Sequence, residues 1–326
     1  MARFPRLRNT LQALVLASLP VTAPLLATGC CAGYDEPTYQ QAVVVDPVRG
    51  PYGDMVKDCR ESDDACLALC EQILLDQGTV AMENEVFFSE CRIIETSDTA
   101  VHMTYTFPIG CVAGRRPAGM QACRARATTS AVGAWLAHMA YLEAASVHAF
   151  VVTARDLERF SAPADLVERA LVAAADEIRH AQITAALARH WGVAPEPLRI
   201  DVPEQRTLLD FCLENAVEGC VRETFGATVA TWQAHMAEDP LIRAAMTSIA
   251  DDETQHAMLS ADIHTWALSV LDADQAEVME GARMLAVTHL MGHLDTPLDA
   301  DARAITGLPD REQSLTLAQG LLHAVW

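Results

Sequence analysis

The sequence predicts a mainly α protein, a four-helix bundle with extra C-terminal helices, preceded by a small disulfide-rich α+β module. Three observations carry this. Over residues 126–272 alanine, leucine, valine, methionine, glutamate and arginine dominate and glycine is sparse. The breaks there fall at SAPAD (161–165), GVAPEP (192–197) and EDP (238–240), leaving four segments of about 30 residues with short joins, the pattern of a bundle. Ahead of them stand six cysteines, Cys59, Cys66, Cys70, Cys91, Cys111 and Cys123, in a stretch too short to bury much apolar surface.

The chain opens MARFPRLRNTLQALVLASLPVTAPLLATGCC. Arg3, Arg6 and Arg8 form a basic head, residues 11–27 are mostly apolar, and small residues follow, the three parts of a secretory signal. Pro20 and Pro24 interrupt a run shorter than the ~20 apolar residues of a membrane span. LLATGC resembles the lipobox of bacterial lipoproteins, which implies cleavage after residue 29, acylation of Cys30 and lipid anchoring in the cell envelope, periplasm or outer membrane. Loss of residues 1–29 removes three arginines and no acid, taking the formal charge from −21 to −24. So acidic a surface repels nucleic acid, which disfavours a basic-groove function.

Residues 30–52, with Pro37, Pro47 and Pro51, lack periodicity and read as a flexible tether. Residues 53–125 form the cysteine module. An even cysteine set in an exported segment reads as a disulfide framework, with 15 connectivities open to six cysteines. A metal cluster is disfavoured because no CxxC occurs. Within the module, 58–76 spaces its apolar residues as a helix does. VHMTYTF (101–107) alternates as a half-buried strand does, with EVFFSECRIIE as its hairpin partner across TSDT.

The bundle helices are expected near 130–160, 163–191, 204–237 and 240–271. Ser130, Pro163 and Pro240 stand where helix starts take a cap or a first-turn proline, and Gly192 where a C-terminal glycine belongs. Residues 273–326 add a helix near 273–294 and a short one near 310–324, packed on the outside. Trp135, Trp232 and Trp266 read as core.

Two of the four long helices carry the same phrase, DEIRHA at 176–181 and DETQHA at 252–257. Glu-x-x-His alone is expected by chance roughly 0.7 times in this composition, but with a preceding Asp only roughly 0.05 times. On a helix, residues i and i+3 lie on one face about a turn apart, so Glu177 with His180, and Glu253 with His256, can grip one ion. Paired Glu-x-x-His motifs are half of a carboxylate-bridged two-metal site, which takes one further Glu from each of the other helices. In the first helix Glu143 is the mid-helix acid. In the third, Glu214, Glu218 and Glu223 compete.

Internal symmetry selects Glu218. Glu143 lies 34 residues before Glu177 and Glu218 lies 35 before Glu253, and each is followed seven places on by a phenylalanine, Phe150 or Phe225. Glu214 and Glu223 break both relations. The two helix pairs read as one hairpin repeated about a pseudo-twofold axis. Glu214, one turn earlier on the same face, is the substitute.

With these elements, residues 130–271 resemble the ferritin-like superfamily, in particular its diiron members with E-x6-Y/F and D-E-x-x-H elements. The resemblance implies that Glu143, Glu177, His180, Glu218, Glu253 and His256 are metal ligands. It also implies that Asp176 and Asp252 accept from the outer N–H of the histidines, an interaction that fixes the tautomer. Four carboxylates balance two divalent ions in an apolar interior. Mixed His and carboxylate donors suit iron, with manganese or zinc possible.

The departures narrow the chemistry. Phe150, Phe225 and Thr184 stand where relatives place tyrosines, which disfavours a tyrosyl radical of the ribonucleotide reductase kind, and no CxxC relay of the rubrerythrin kind is present. The resemblance leaves open O2- or peroxide-dependent oxidation: ferroxidase activity, peroxide scavenging or substrate oxygenation. The competing class is a non-enzymatic envelope protein that binds metal for stability or sequestration and a partner through its cysteine module. His289 and His293 lack the Glu of a zinc-protease motif, His138 and His148 lie off the Glu143 face, and Cys212 and Cys220 read as buried thiols or a further disulfide rather than ligands.

Overall fold

A computed structural model of the chain describes residues 38–44, 55, 69, 90–96, 100–106, 115–117, 119–120, 130–200, 205–292, 294 and 298–326; side chains are described at 55, 69 and from 115 onward. Residues 1–29, Cys30, and Cys59, Cys66, Cys70, Cys111 and Cys123 lie outside the described residues, and Cys91 is described in its backbone alone, so the expected disulfides lie outside them too. Of the helix expected over 58–76, only Leu69 is described, and it is helical.

The chain divides into two compact units, Tyr34–Gly110 and one whose described residues all lie in Cys111–Trp326. The first holds a three-stranded antiparallel sheet of β1 (Thr38–Val44), β2 (Glu90–Thr96) and β3 (Ala100–Thr106), in the order β1-β3-β2. Strands β2 and β3 pair antiparallel, with a register shift between Ile93 and Glu95. Strand β1 falls within residues 30–52, a stretch without strand periodicity in the sequence. Its pairing with β3, Thr38 opposite Thr106 through Val44 opposite Ala100, supplies what the local sequence pattern does not announce.

The second unit is mainly helical, as the composition predicts. Helix α1 (Ala131–Arg159) starts at Ser130, whose Oγ accepts from the Gly133 amide at 3.0 Å. Helix α2 (Ala164–His190) follows Pro163, and Gly192 beyond its end has φ +80°, a left-handed turn that suits glycine. The third long segment is composite: α3 (Leu208–Glu214), a π-helical stretch (Asn215–Glu223) and α4 (Thr224–Met236) run end to end. It starts at 208 rather than 204, where Thr207 and Asp210 form a reciprocal capping box. Helix α5 (Pro240–Val270) is capped by Asp239 with Pro240 in its first turn. Then come α6 (Ala273–Gly292), α7 (Ala300–Thr306) and α8 (Arg311–Ala324). No helix among the described residues is long and apolar enough to cross a membrane.

Helix α1 packs along α2, and α4 along α5, while α5 also touches α2 and the π stretch. Helix α6 lies on α3 and the π stretch, and α8 on α4 and α6. Helix α7, too short for periodicity to reveal, docks on the α4–α5 turn, where Glu238 and Asp239 amides donate to the Ala304 and Ile305 carbonyls.

Apolar clusters bracket the middle of this unit. Trp135, Leu136, Met139, Leu142, Ile242, Met246 and Ile249 fill one, and Phe225, Trp232, Leu317 and Leu321 another. Trp266 is half-buried, edge-on to Phe211, rather than core. Among the buried residues are Arg115, Glu143, Glu177, His180, Glu218, Glu223, Glu253 and His256. Charged side chains are almost never fully buried unless paired or coordinated, so this concentration makes the region a candidate site.

The border between the units falls at 110/111. Arg115, Arg116 and Pro117 belong with the helices: Ser146 Oγ donates to the Arg115 carbonyl at 3.1 Å, and the Arg116 amide donates to Glu218 at 3.3 Å. Met120 bridges to Ile200.

Candidate metal centre

The i, i+3 spacing on α2 and α5 turns both Glu-His pairs inward, and the two helices then exchange partners. His180 Nδ1 lies 3.2 Å from Glu253 Oε1 and 3.7 Å from Glu177 Oε2 of its own helix. His256 Nδ1 lies 3.2 Å from Glu177 Oε1 and 3.7 Å from Glu253 Oε1. The distances repeat because the phrase repeats about a pseudo-twofold axis. The imidazole centroids are 5.9 Å apart, and Glu143 from α1 reaches within 4.0 Å of His180 Nδ1.

Behind each ring the aspartates cross as well. His180 Nε2 faces Asp252 at 3.1 Å, and His256 Nε2 faces Asp176 at 3.4 Å, so each histidine is oriented by the acid of the opposite motif. Arg179 joins the two acids, donating to Asp176 at 2.9 Å and to Asp252 at 2.7 Å. With Nε2–H committed to an aspartate, the inward Nδ1 of each ring is the atom offered to a ligand.

A donor atom from each of Glu143, Glu177, His180 and Glu253 lies within 4.8 Å of all the others, and this buried group could hold a metal ion. Glu143 Oε2, both oxygens of Glu177, both of Glu253, and Nδ1 of His180 and of His256 are buried with no hydrogen-bond partner. Buried polar atoms left so are costly, and their convergence is what a cation would relieve. Burial, reinforced by Glu177 and Glu253, pushes the Glu143 carboxyl well above its ordinary range. For Glu177, burial acts upward but the two imidazoles outweigh it and hold the carboxyl low. Burial also acts against the charge on the histidines, yet Glu177 and Glu253 push His180 up, and Asp176 and Glu177 push His256 up to about 10. The raised imidazole values favour protonated rings beside these carboxylates where no metal is bound.

Glu218 is not brought to the cluster. Its carboxylate accepts from Arg222 at 2.7 Å and from the Arg116 amide, so it serves to fasten the incoming chain. Glu214 pairs with Arg206 instead. The acid of this helix that turns inward is Glu223, wholly buried, with Oε2 accepting from Ser260 Oγ at 2.8 Å and Oε1 without a partner. The reason is the π stretch. Its i→i+5 bonding puts more residues in each turn than the 3.6 of an α-helix, so positions counted by α periodicity drift around the axis.

Beside Glu223 lies Arg115, 1% exposed, with its Nε 3.7 Å from Glu223 Oε2. Its guanidinium donates to Thr153 at 2.8 Å and to Asn215 at 2.6 Å and lies over the Phe150 ring, 5.5 Å from the centroid. Phe150 in turn packs on His256 at 4.9 Å. Space for the guanidinium exists because residue 219 is glycine: a Cβ there would collide with Arg115 Nη2 and lie 2.6 Å from Ser260 Oγ. Cys212 and Cys220 are buried free thiols, pushed up to about 12 by burial and thus inert. His148 is exposed on the far side of α1.

Sequence reasoning missed Arg115 and Arg179, and it weighed Glu223 but preferred Glu218. Arg115 gives no periodic signal, and symmetry counting passed over Glu223 because of the π register. Arg179 was visible in retrospect, since the fourth place of the repeated phrase is Arg in DEIRHA and Gln in DETQHA. No protein-family model, curated protein or solved structure matches the chain.

Proposed function

We propose that residues 126–272 form a ferritin-like four-helix bundle around a two-metal centre, and that the protein is an oxidoreductase using O2 or peroxide. The observation that carries the reading is the set of unpartnered buried donors from Glu143, Glu177, His180, Glu253 and His256. Glu223 replaces Glu218 as the acid supplied by the third helical segment, which restores four carboxylates for two divalent ions. Mixed carboxylate and imidazole donors favour iron, with manganese and zinc fitting the same set. When bound, a pair of iron ions supplies the electrons for reduction of O2 or peroxide.

The chain's own residues bind and orient. Asp252 and Asp176 hold the two imidazoles with Nδ1 inward, Arg179 holds the aspartates, and Phe150 covers His256 with an apolar face that offers no oxidisable phenol. The leader over 1–29 and Cys30 support an exported, lipid-anchored protein of the cell envelope.

Metal analysis followed by anaerobic titration of the Fe(II)-loaded protein with O2 or peroxide tests this. Two ions per chain and stoichiometric oxidation are expected. A tight two-metal site whose ferrous form resists both oxidants would sink the oxidoreductase reading in favour of metal storage or structural binding.

A further inference from the structure

The two halves of the centre match each other through the histidines, the Glu-x-x-His carboxylates and the crossed aspartates, then part company at the last acid. Glu143 Oε2 has no hydrogen-bond partner and sits within 4.0 Å of His180 Nδ1. Glu223 has one oxygen held by Ser260 and approached by Arg115. Nothing comparable to Arg115 stands beside Glu143 among its described partners. The pseudo-twofold axis therefore relates two poles of opposite electrostatic character.

We infer that Arg115 is a positioning residue that makes the two metal positions unequal. The pole of Glu143, Glu177, His180 and Glu253 takes the first ion, and the pole of His256 and Glu223 takes a second, weaker one because Glu223 is shared with a fixed cation. The inference rests on the metal-centre reading of the same residues. Three features fix the cation in place. Arg115 is tied at both ends of its guanidinium, to Thr153 of α1 and Asn215 of the π stretch. Its backbone is tied too, through Ser146. And Gly219 leaves room for it where any side chain would intrude. A guanidinium so constrained cannot move away when an ion arrives, whereas the Glu223 carboxylate, with Oε1 unpartnered, can turn. A charge a few ångströms from a ligand oxygen weakens that oxygen toward a second cation, since in a low-dielectric interior the repulsion is poorly screened.

The test is anaerobic titration of the full chain with Co(II) alone, followed by visible absorption and by metal content after gel filtration. Wild type is expected to fill in two steps, the second weaker by about tenfold or more, the range that outer partners of metal ligands control. Arg115→Met keeps the stem and removes the charge; the second step should tighten toward the first. Glu223→Gln, nearly isosteric, should keep the first step and lose the second, and it decides the matter if Arg115→Met does not fold. Two equal steps in the wild type, an unchanged spacing in Arg115→Met, or undiminished second binding in Glu223→Gln each overturn the inference and leave the metal centre standing. Absence of any bound Co(II) in the folded wild type removes the metal-centre reading itself.

Discussion

Gly219→Ala should destabilise the helical unit, although alanine normally strengthens a helix. The added Cβ would meet Arg115 Nη2 and lie 2.6 Å from Ser260 Oγ and 2.8 Å from Ser260 Cβ. Neither neighbour can yield cheaply, because Arg115 is held by Thr153 and Asn215, and Ser260 by Glu223 and the His256 carbonyl. Overpacking costs ~1–3 kcal/mol, and losing one hydrogen bond from the charged guanidinium adds ~1.5–3 kcal/mol. The intrinsic helical gain of alanine over glycine returns ~1 kcal/mol. The net is a loss of about 1.5–5 kcal/mol, read as a fall in Tm of roughly 3–20 °C. Gly281→Ala is the control: it is exposed in α6 with nothing within 4 Å of the new Cβ, so it should stabilise by up to ~1 kcal/mol. Urea unfolding of the two variants and the wild type gives the comparison. If Gly219→Ala is as stable as Gly281→Ala, Arg115 does not thread past residue 219 and the asymmetry argued from it collapses.

Glu218→Gln should retain full metal content, while Glu253→Gln should lose most of it; equal loss from both, measured by metal analysis after gel filtration, would restore Glu218 as a ligand. Arg179→Gln frees Asp176 and Asp252, so metal affinity should weaken about tenfold while stability changes by less than ~1 kcal/mol, the pair being half-exposed; unchanged affinity in a chelator competition counts against the crossed clamp. In the metal-free protein the histidine pKa values lie above the unfolded value of 6.5, so their stabilisation is complete below about pH 6.5 and is lost progressively as pH rises toward the folded values, about 10 for His256 and about 12 for His180. Thermal melts of the chelated protein should therefore fall between pH 6.5 and 9.5; a flat or rising Tm contradicts the protonated cluster. Chelation at pH 7 should lower Tm relative to saturating metal, by ~2.7 kcal/mol of stability when metal had been present at a hundred times Kd.

Much of the centre was legible because its parts obey local rules. Glu177 with His180 and Glu253 with His256 follow from helical spacing, and Glu143 stood out as an acid among Leu142, Ala144 and Ala145. The capping signals at Ser130, Pro163, Gly192 and Pro240 set helix limits to within a residue or two. The third helix failed for one reason. Symmetry counting assumes a uniform 3.6 residues per turn, and the π stretch over Asn215–Glu223 breaks that assumption where the choice among Glu214, Glu218 and Glu223 was made. Strand β1 escaped notice because pairing with β3, a contact across more than 50 residues of chain, defines it.

The sequence by itself determined that two helices present matched Glu-His pairs on their inner faces, since residue spacing along a helix is a local property. Only the tertiary structure decided that each histidine answers to the aspartate of the other motif. It alone carried Glu223 inward and Glu218 out to Arg222, and slid a buried arginine from before the first helix against one side of the site. Those are meetings between distant parts of the chain, and they depend on how helices pack and on a changed turn within one of them, neither of which periodicity in one dimension can express.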